Sequence, residues 1–267
     1  MPDSQISVKE EVVLLDGATL QLKWFYSEPQ PAQDKPILVF LHDSLGCIKL
    51  WRDFPERLAQ ATGATTLVYD REGYGQSSAF RSTNREQDYL EREADVLEQL
   101  LAKLQVNKAI LFGHSDGGSI ALMAAAKYKS RIAGVIAEGA HVFVEGLTLA
   151  GIRTAVHDFR NTDLPQRLHK YHGAKTDQVF SAWSDTWLSP HFRSWNIEHF
   201  LPAIHCPVLV VQGEADEYGT LAQVKAIVGQ VQGPSQQLII PGIGHTPHRQ
   251  ARELVLQKAS AFIAAIP

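Results

Sequence analysis

A chain of 267 residues has room for one large α/β domain, with at most an inserted subdomain, and buries a core without disulfide or metal staples. The formal net charge of −4 and the scatter of the charges exclude a nucleic-acid-binding stripe or a polybasic membrane patch, so neither polyanions nor membranes are expected partners. Cys47 and Cys206 are too few for a disulfide framework or thiolate metal site and read as buried thiols, no apolar run reaches the roughly 20 residues of a membrane span, and Met1–Gln5 lacks the basic and apolar regions of a signal peptide, so a soluble cytoplasmic protein is expected.

Along the chain, two extended runs come first, Ile6 to Leu15 and Leu20 to Tyr26, with Asp16-Gly17 between them as a hairpin turn. The stretch Glu28 to Lys35, rich in Pro and Gln, reads as a linker. Further strands are predicted at Ile37 to His42, Thr65 to Tyr69, Ala109 to Phe112, Ile132 to Ala137, Val208 to Gln212 and Gln237 to Ile240. Helical patterns separate the later ones. In Tyr89 to Leu104, for example, Leu90, Ala94, Leu97, Leu101 and Leu104 mark one face at the helical period. Such alternation implies right-handed crossovers and a mostly parallel, eight-stranded α/β sheet covered on both faces, with functional residues at the carboxyl ends of its strands.

Between Val142 and Cys206 the rhythm breaks. No buried strand is evident there, but amphipathic helical stretches run around Leu147 to Phe159, Leu164 to Tyr171, Asp177 to Leu188 and Ile197 to Ile204. The expected organisation is a core of residues 1–142 and 206–267 with a helical cap, 143–205, inserted over the strand ends. Trp183, Trp187 and Trp195 fall in this segment and supply either pocket surface or the cap's own core.

Chemistry concentrates around Gly113-His114-Ser115-Asp116-Gly117, where a predicted strand turns sharply into the apolar helix beginning near Ser119. Glycines at both ends of a G-x-S-x-G turn let strand and helix approach closely, which holds Ser115 on a strained bend with its hydroxyl exposed. The backbone N–H of Asp116, at the helix N-terminus, can then face a developing oxyanion. A serine hydroxyl is a poor nucleophile at neutral pH, so it requires a base and an orienting carboxylate. Asp216 follows the strand Val208-Leu209-Val210-Val211 and His245 follows the next one, in the order Ser, Asp, His expected of this architecture. Glu138 and Glu214 are the rival acids. His248 completes a His-x-x-His with His245, but no third ligand is evident from spacing and no metal is expected. The second oxyanion donor is expected from the loop after the third strand, with the N–H of Ser44 or Leu45 as candidates. Asp70-Arg71 and the glycine-punctuated turn after them read as a structural brace for a loop beside the elbow. Candidate substrate contacts are Asp116, Leu45, His141, Trp183 and Trp187, whereas His157 and His172 fit either pocket or surface.

From about Ile37 to Phe262 the chain resembles the α/β-hydrolase fold family: H-x-x-x-G at His42, D-R-x-G-x-G-x-S at Asp70, G-H-S-D-G-G at Gly113, G-x-x-D at Gly213 and G-x-G-H at Gly242 occur in family order. Ser115-Asp116-Gly117-Gly118, continuing through Ala121 to Tyr128, is similar to the biphenyl-hydrolase-like α-amino-acid ester hydrolases, the valacyclovir hydrolase group. The chain departs from the family at Asp43, where glycine usually follows the histidine, and shows no clear match to that group over the cap. The expected activity is hydrolysis of a small carboxylic ester without a cofactor. Carbon-carbon bond cleavage in a dienoic acid, acyl transfer, cofactor-free perhydrolysis and a ligand-binding receptor are the alternatives.

Asp116 also poses a physical problem. Its carboxylate would oppose the negative charge of acyl transfer by roughly 3 kcal/mol at about 5 Å and an effective dielectric near 20. A protein cation, an outward turn to solvent, or the substrate's own ammonium, as the resemblance implies, would offset it.

Overall fold

The computed structural model describes residues 6–27 and 35–266; the expected linker, Glu28 to Lys35, lies outside them except for Lys35. Eight strands form one sheet in the order β1-β2-β4-β3-β5-β6-β7-β8. They are β1 (Ile6–Leu15), β2 (Ala18–Ser27), β3 (Ile37–Leu41), β4 (Thr66–Tyr69), β5 (Ala109–His114), β6 (Ile132–Glu138), β7 (Val208–Gly213) and β8 (Ser235–Ile240). β1 and β2 pair antiparallel, as do β2 and β4, and the remaining neighbours are parallel. Asp16 and Gly17 both take positive φ, 47° and 82°, which suits the tight turn joining the right-twisted strands of the hairpin.

The centre of the sheet is covered on both faces because β3, β4, β5 and β7 are almost wholly apolar and buried, and sort their side chains by parity. Ile110 and Phe112 of β5 join Phe54 and Leu58 of α1 (Phe54–Thr62) and Val255 and Phe262 of the C-terminal helix Arg252–Ala264. Ala109 and Leu111 face the other way, onto the Leu90, Ala94, Leu97 and Leu101 stripe of α2 (Tyr89–Lys103) and onto α3 (Asp116–Lys127). Every residue of α3 except Lys127 is buried, so this helix is fixed rigidly at the sheet's centre with its N-terminus at the end of β5.

Between β6 and β7 lie α4 (Gly146–Asn161), α5 (Leu164–His172) and α6 (Thr176–Leu188), with an isolated bridge from Phe143 to Asn196. The expected helix at Ile197 to Ile204 is instead a 3₁₀ segment, Glu198–Ala203, because Pro202 inside it has no N–H to donate. α7 (Leu221–Gln230) and the short α8 (Pro247–Gln250) precede the C-terminal helix, α9. Among the described residues no helix is long and apolar enough to cross a membrane.

Candidate active site

Ser115 sits at φ 54° and ψ −119°, a conformation that costs a non-glycine residue about 1–3 kcal/mol and persists only where its surroundings impose it. Here they do. A Cβ on Gly113 would stand 2.1 Å from the Gly117 carbonyl oxygen, and one on Gly117 would stand 2.0 Å from that of Leu41, so only glycine allows β3, β5 and α3 to meet. The Ser115 N–H donates to the Glu138 carbonyl at 2.8 Å, tying the bend to β6.

The structure brings Ser115, His245 and Asp216 together. Ser115 Oγ lies 3.0 Å from His245 Nε2, and His245 Nδ1 lies 2.8 and 2.9 Å from the two Asp216 oxygens. With Nδ1–H donating to Asp216, Nε2 is left to accept the serine proton. Asp216 also accepts from the Gln212 side chain at 2.6 Å and from the N–H of Tyr218 at 2.8 Å and Gly219 at 3.2 Å. Burial pushes its carboxyl up, but the His245 hydrogen bond and charge and the Tyr218 N–H prevail and hold it below the usual range. Burial likewise pushes His245 down, yet its bond to Asp216 and that residue's charge leave the imidazole more basic than usual.

The rival residues go elsewhere. Glu214 is exposed. Glu138 is fully buried and pairs with His248, its Oε1 2.5 Å from Nδ1 and its Oε2 3.0 Å from the His248 N–H. His114 joins them, so a buried His-Glu-His cluster exists that spacing alone did not reveal. Two ligands of one tetrahedral zinc at about 2.1 Å would stand roughly 3.4 Å apart, so a 2.5 Å contact fits a shared proton better than a metal.

His42 and Arg71 fix the loop carrying Ser44 and Leu45. The Arg71 guanidinium donates to the carbonyls of His42 and Asp43 at 3.3 and 3.0 Å, and the Arg71 N–H donates to His42 Nε2 at 3.1 Å. A turn closes from the Gly46 N–H to the Asp43 carbonyl at 3.2 Å, so Asp43 in place of glycine is accommodated with its side chain partly exposed. Asp70 completes the brace by accepting from the N–H of Ile48 and Gln76, at 2.6 and 2.7 Å.

A cavity of about 80 Å³ lies over Ser115, walled by Ser44, Leu45, Asp116, His141, Trp183, Trp187 and His245. Asp43, Thr148, Ile152 and Tyr218 complete it and escaped the sequence reading; Thr148 and Ile152 carried a signal, one helical turn apart on α4, whereas Asp43 and Tyr218 carried none beyond proximity to His42 and Asp216. Trp195 packs against Trp187 and Phe192 instead, at ring distances of 5.3 and 5.4 Å. His172 is buried and clamps α5 to the core, accepting from the Gly75 N–H at 3.1 Å and donating to the Leu45 carbonyl at 2.9 Å. His157 is exposed.

The Asp116 carboxylate is buried rather than turned to solvent. Its Oδ2 accepts from the Tyr89 hydroxyl at 3.0 Å, which in turn accepts from Trp187 Nε1 at 2.9 Å. Arg85 lies over the Tyr89 ring, 4.7 Å from its centroid, and donates to the Tyr74 hydroxyl at 2.9 Å rather than to a carboxylate.

This architecture is that of the alpha/beta hydrolase fold family, to which the chain belongs: the family's pattern matches residues 36–200. Among curated proteins it is similar to serine hydrolase BPHL of Homo sapiens, 34% identical over 164 residues that cover 57% of this chain and 53% of the human protein. It is likewise similar to serine hydrolase BPHL of Mus musculus, 32% identical over 187 residues covering 67% and 62%. The chain thus spans between half and two thirds of the length of these relatives. Among solved structures, 2-hydroxy-6-oxo-6-phenylhexa-2,4-dienoate hydrolase from Rhodococcus sp. strain RHA1 superposes with a TM-score of 0.79 at 14% identity, covering 98% of this chain and all of that one, a likeness of fold.

Proposed function

We propose that this protein is a serine hydrolase that cleaves a small carboxylic ester through an acyl-enzyme. The observation that carries the reading is the hydrogen-bonded chain from Ser115 through His245 to Asp216 beneath a small cavity. Ser115 Oγ attacks the carbonyl carbon while His245 Nε2 takes its proton, and the N–H groups of Asp116 and Ser44 bind the oxyanion. The imidazolium then returns the proton to the leaving alkoxide. Water, deprotonated by the same imidazole, clears the acyl group from the serine. Each step uses a nucleophile, a base, an acid and backbone dipoles, so the chemistry calls for no cofactor. Segment 143–205 acts in this reading as a cap, with Trp183 and Trp187 drying the acyl side. A burst of nitrophenolate from p-nitrophenyl acetate, equal to the enzyme concentration, supports the acyl-enzyme; its absence together with no steady turnover favours a ligand-binding role.

The pH dependence follows from His245, which must be neutral to act. Its basicity is raised, so kcat/KM is expected to fall as pH drops through a value above 6.5, the ordinary imidazole figure. A pH-rate profile with its acid limb clearly below 6.5 would contradict the Asp216 pairing.

Asp116 selects a substrate bearing a cation near the scissile carbonyl, in our reading an α-ammonium. Tyr89 satisfies one of its oxygens, and the two buried cations that face it, Arg71 and Arg85, spend their hydrogen bonds on the His42, Asp43 and Ala182 carbonyls and the Tyr74 hydroxyl rather than on it, so the carboxylate at the cavity wall keeps no direct ionic partner among the described residues. The similarity to serine hydrolase BPHL and the Ser115-Asp116-Gly117-Gly118 motif support this. An amino-acid ester should exceed its des-amino counterpart ten- to a hundredfold in kcat/KM, which corresponds to a charge-assisted contact of roughly 1.5–3 kcal/mol. Asp116→Asn should erase the preference while keeping the backbone N–H. Equal rates on the two esters in the unmodified enzyme would leave Asp116 with its backbone role alone.

A further inference from the structure

Glu138 belongs to none of the steps above, yet it touches Ser115 directly and holds the segment that follows His245. Its carbonyl accepts the Ser115 N–H at 2.8 Å, and its carboxylate holds His248 by both the backbone N–H and Nδ1. One residue along, a Cβ on Gly139 would stand 3.0 Å from His245 Cε1, so the same strand end packs directly against the catalytic ring. His114, the cross-strand neighbour of Glu138 on β5, donates from Nε2 to the His245 carbonyl at 2.8 Å. The loop 245–248 is therefore gripped at both ends from β5 and β6, while the His248 ring is wedged against Trp51 at 4.6 Å and Phe54 at 5.6 Å.

We infer that the Glu138–His248 pair, with His114, is a positioning device that sets the distance and the basicity of His245 relative to Ser115. This rests on the triad reading above. Asp216 orients the imidazole from one side through Nδ1, and the second carboxylate–imidazole pair fixes the loop that carries it from behind. The charged and titratable groups around Glu138 are His114 from β5, His248 from α8, His245 from the loop after β8, and Asp216 from the loop after β7; Asp43, Arg249 and Arg252 face His248, and Asp43 and Glu217 face His245. Burial pushes Glu138 up to about 7 and drives His248 down, so the pair resists carrying charge at its centre below neutrality. Above that, the Glu138 carboxylate adds to Asp216 in favouring the imidazolium.

Glu138→Gln keeps an acceptor for the His248 N–H and removes the charge. With p-nitrophenyl acetate it should lower kcat about tenfold with KM within twofold. The acid limb of kcat/KM should move to lower pH, because the carboxylate that favours the imidazolium is gone. His248→Asn, whose amide nitrogen takes the place of Nδ1, should retain kcat within about threefold, whereas His248→Leu should lose as much as Glu138→Gln. Ser115 labelling by a fluorophosphonate, run alongside, reads the same deficit without a substrate and serves any variant that turns over too slowly. A superposable pH profile and labelling rate in Glu138→Gln, or equal losses in His248→Asn and His248→Leu, overturns the inference. A loss of a thousandfold or more in Glu138→Gln overturns it differently, by making Glu138 the acid of the triad. Failure of Ser115 to label in the unmodified enzyme removes the triad reading, and the inference with it.

Discussion

Replacing Ser115 with alanine is expected to remove at least on the order of a thousandfold in kcat while leaving the fold intact, the scale set when one member of such a triad is deleted. The substitution takes away one oxygen that makes a single side-chain hydrogen bond, to His245, so little packing is lost. It leaves the strained bend, φ 54°, in place, because the close contacts at Gly113 and Gly117 impose that bend whatever side chain sits between them. Intact-mass analysis after a fluorophosphonate should show one adduct, located at Ser115 by peptide mapping, and none in Ser115→Ala. Two measurements must agree: circular dichroism should superimpose for the two proteins while turnover does not. A variant that keeps the parent's rate, or an adduct on another residue, would mean that the bend at Ser115 is architectural and that the nucleophile lies elsewhere.

How the molecule arranges this was legible in the sequence where the signal is local. A buried parallel strand announces itself as an apolar run, and a candidate site residue at its carboxyl end follows within a few positions, as Asp216 does after β7 and His245 after β8. The elbow was legible because close approach of two backbones demands glycine, and Gly113 and Gly117 stand where that demand falls. What escaped was whatever depends on partners distant in the chain. His248 looked like half of a metal motif with His245, three residues away, but its partner Glu138 lies 110 residues back and is brought to it by β6. The Tyr89 hydroxyl that holds Asp116 comes from the first turn of a helix whose pattern displayed only its apolar stripe. In the inserted segment, helical periodicity was right for α4, α5 and α6 and failed at Glu198–Ala203, where Pro202 tightens the turn. The tryptophans divided in the same way: Trp183 and Trp187 reach the cavity, and Trp195 stops one layer short of it.

Asp216→Asn is the sharper test of the reaction, because it changes a charge and a proton position while keeping the shape. Asparagine in that place would present an amide N–H toward His245 Nδ1, so the imidazole would shift its own proton to Nε2, where the Ser115 hydroxyl now sits at 3.0 Å. A histidine protonated at Nε2 cannot accept the serine proton. The loss expected for this wrong tautomer is on the order of 10⁴-fold in kcat. KM should change little, since Asp216 is buried behind the ring and does not line the cavity. The two neighbouring carboxylates provide the contrast. Glu214→Gln alters an exposed side chain and should be silent, and Glu138→Gln should cost about tenfold because it acts through the loop rather than on the imidazole nitrogen. The ranking Asp216 far above Glu138, with Glu214 at the parent's rate, is what the geometry requires. Should Glu138→Gln be the crippling change and Asp216→Asn the mild one, the orienting acid would have to sit at the end of β6, and His245 would have to turn its Nδ1 away from the two oxygens now 2.8 and 2.9 Å from it.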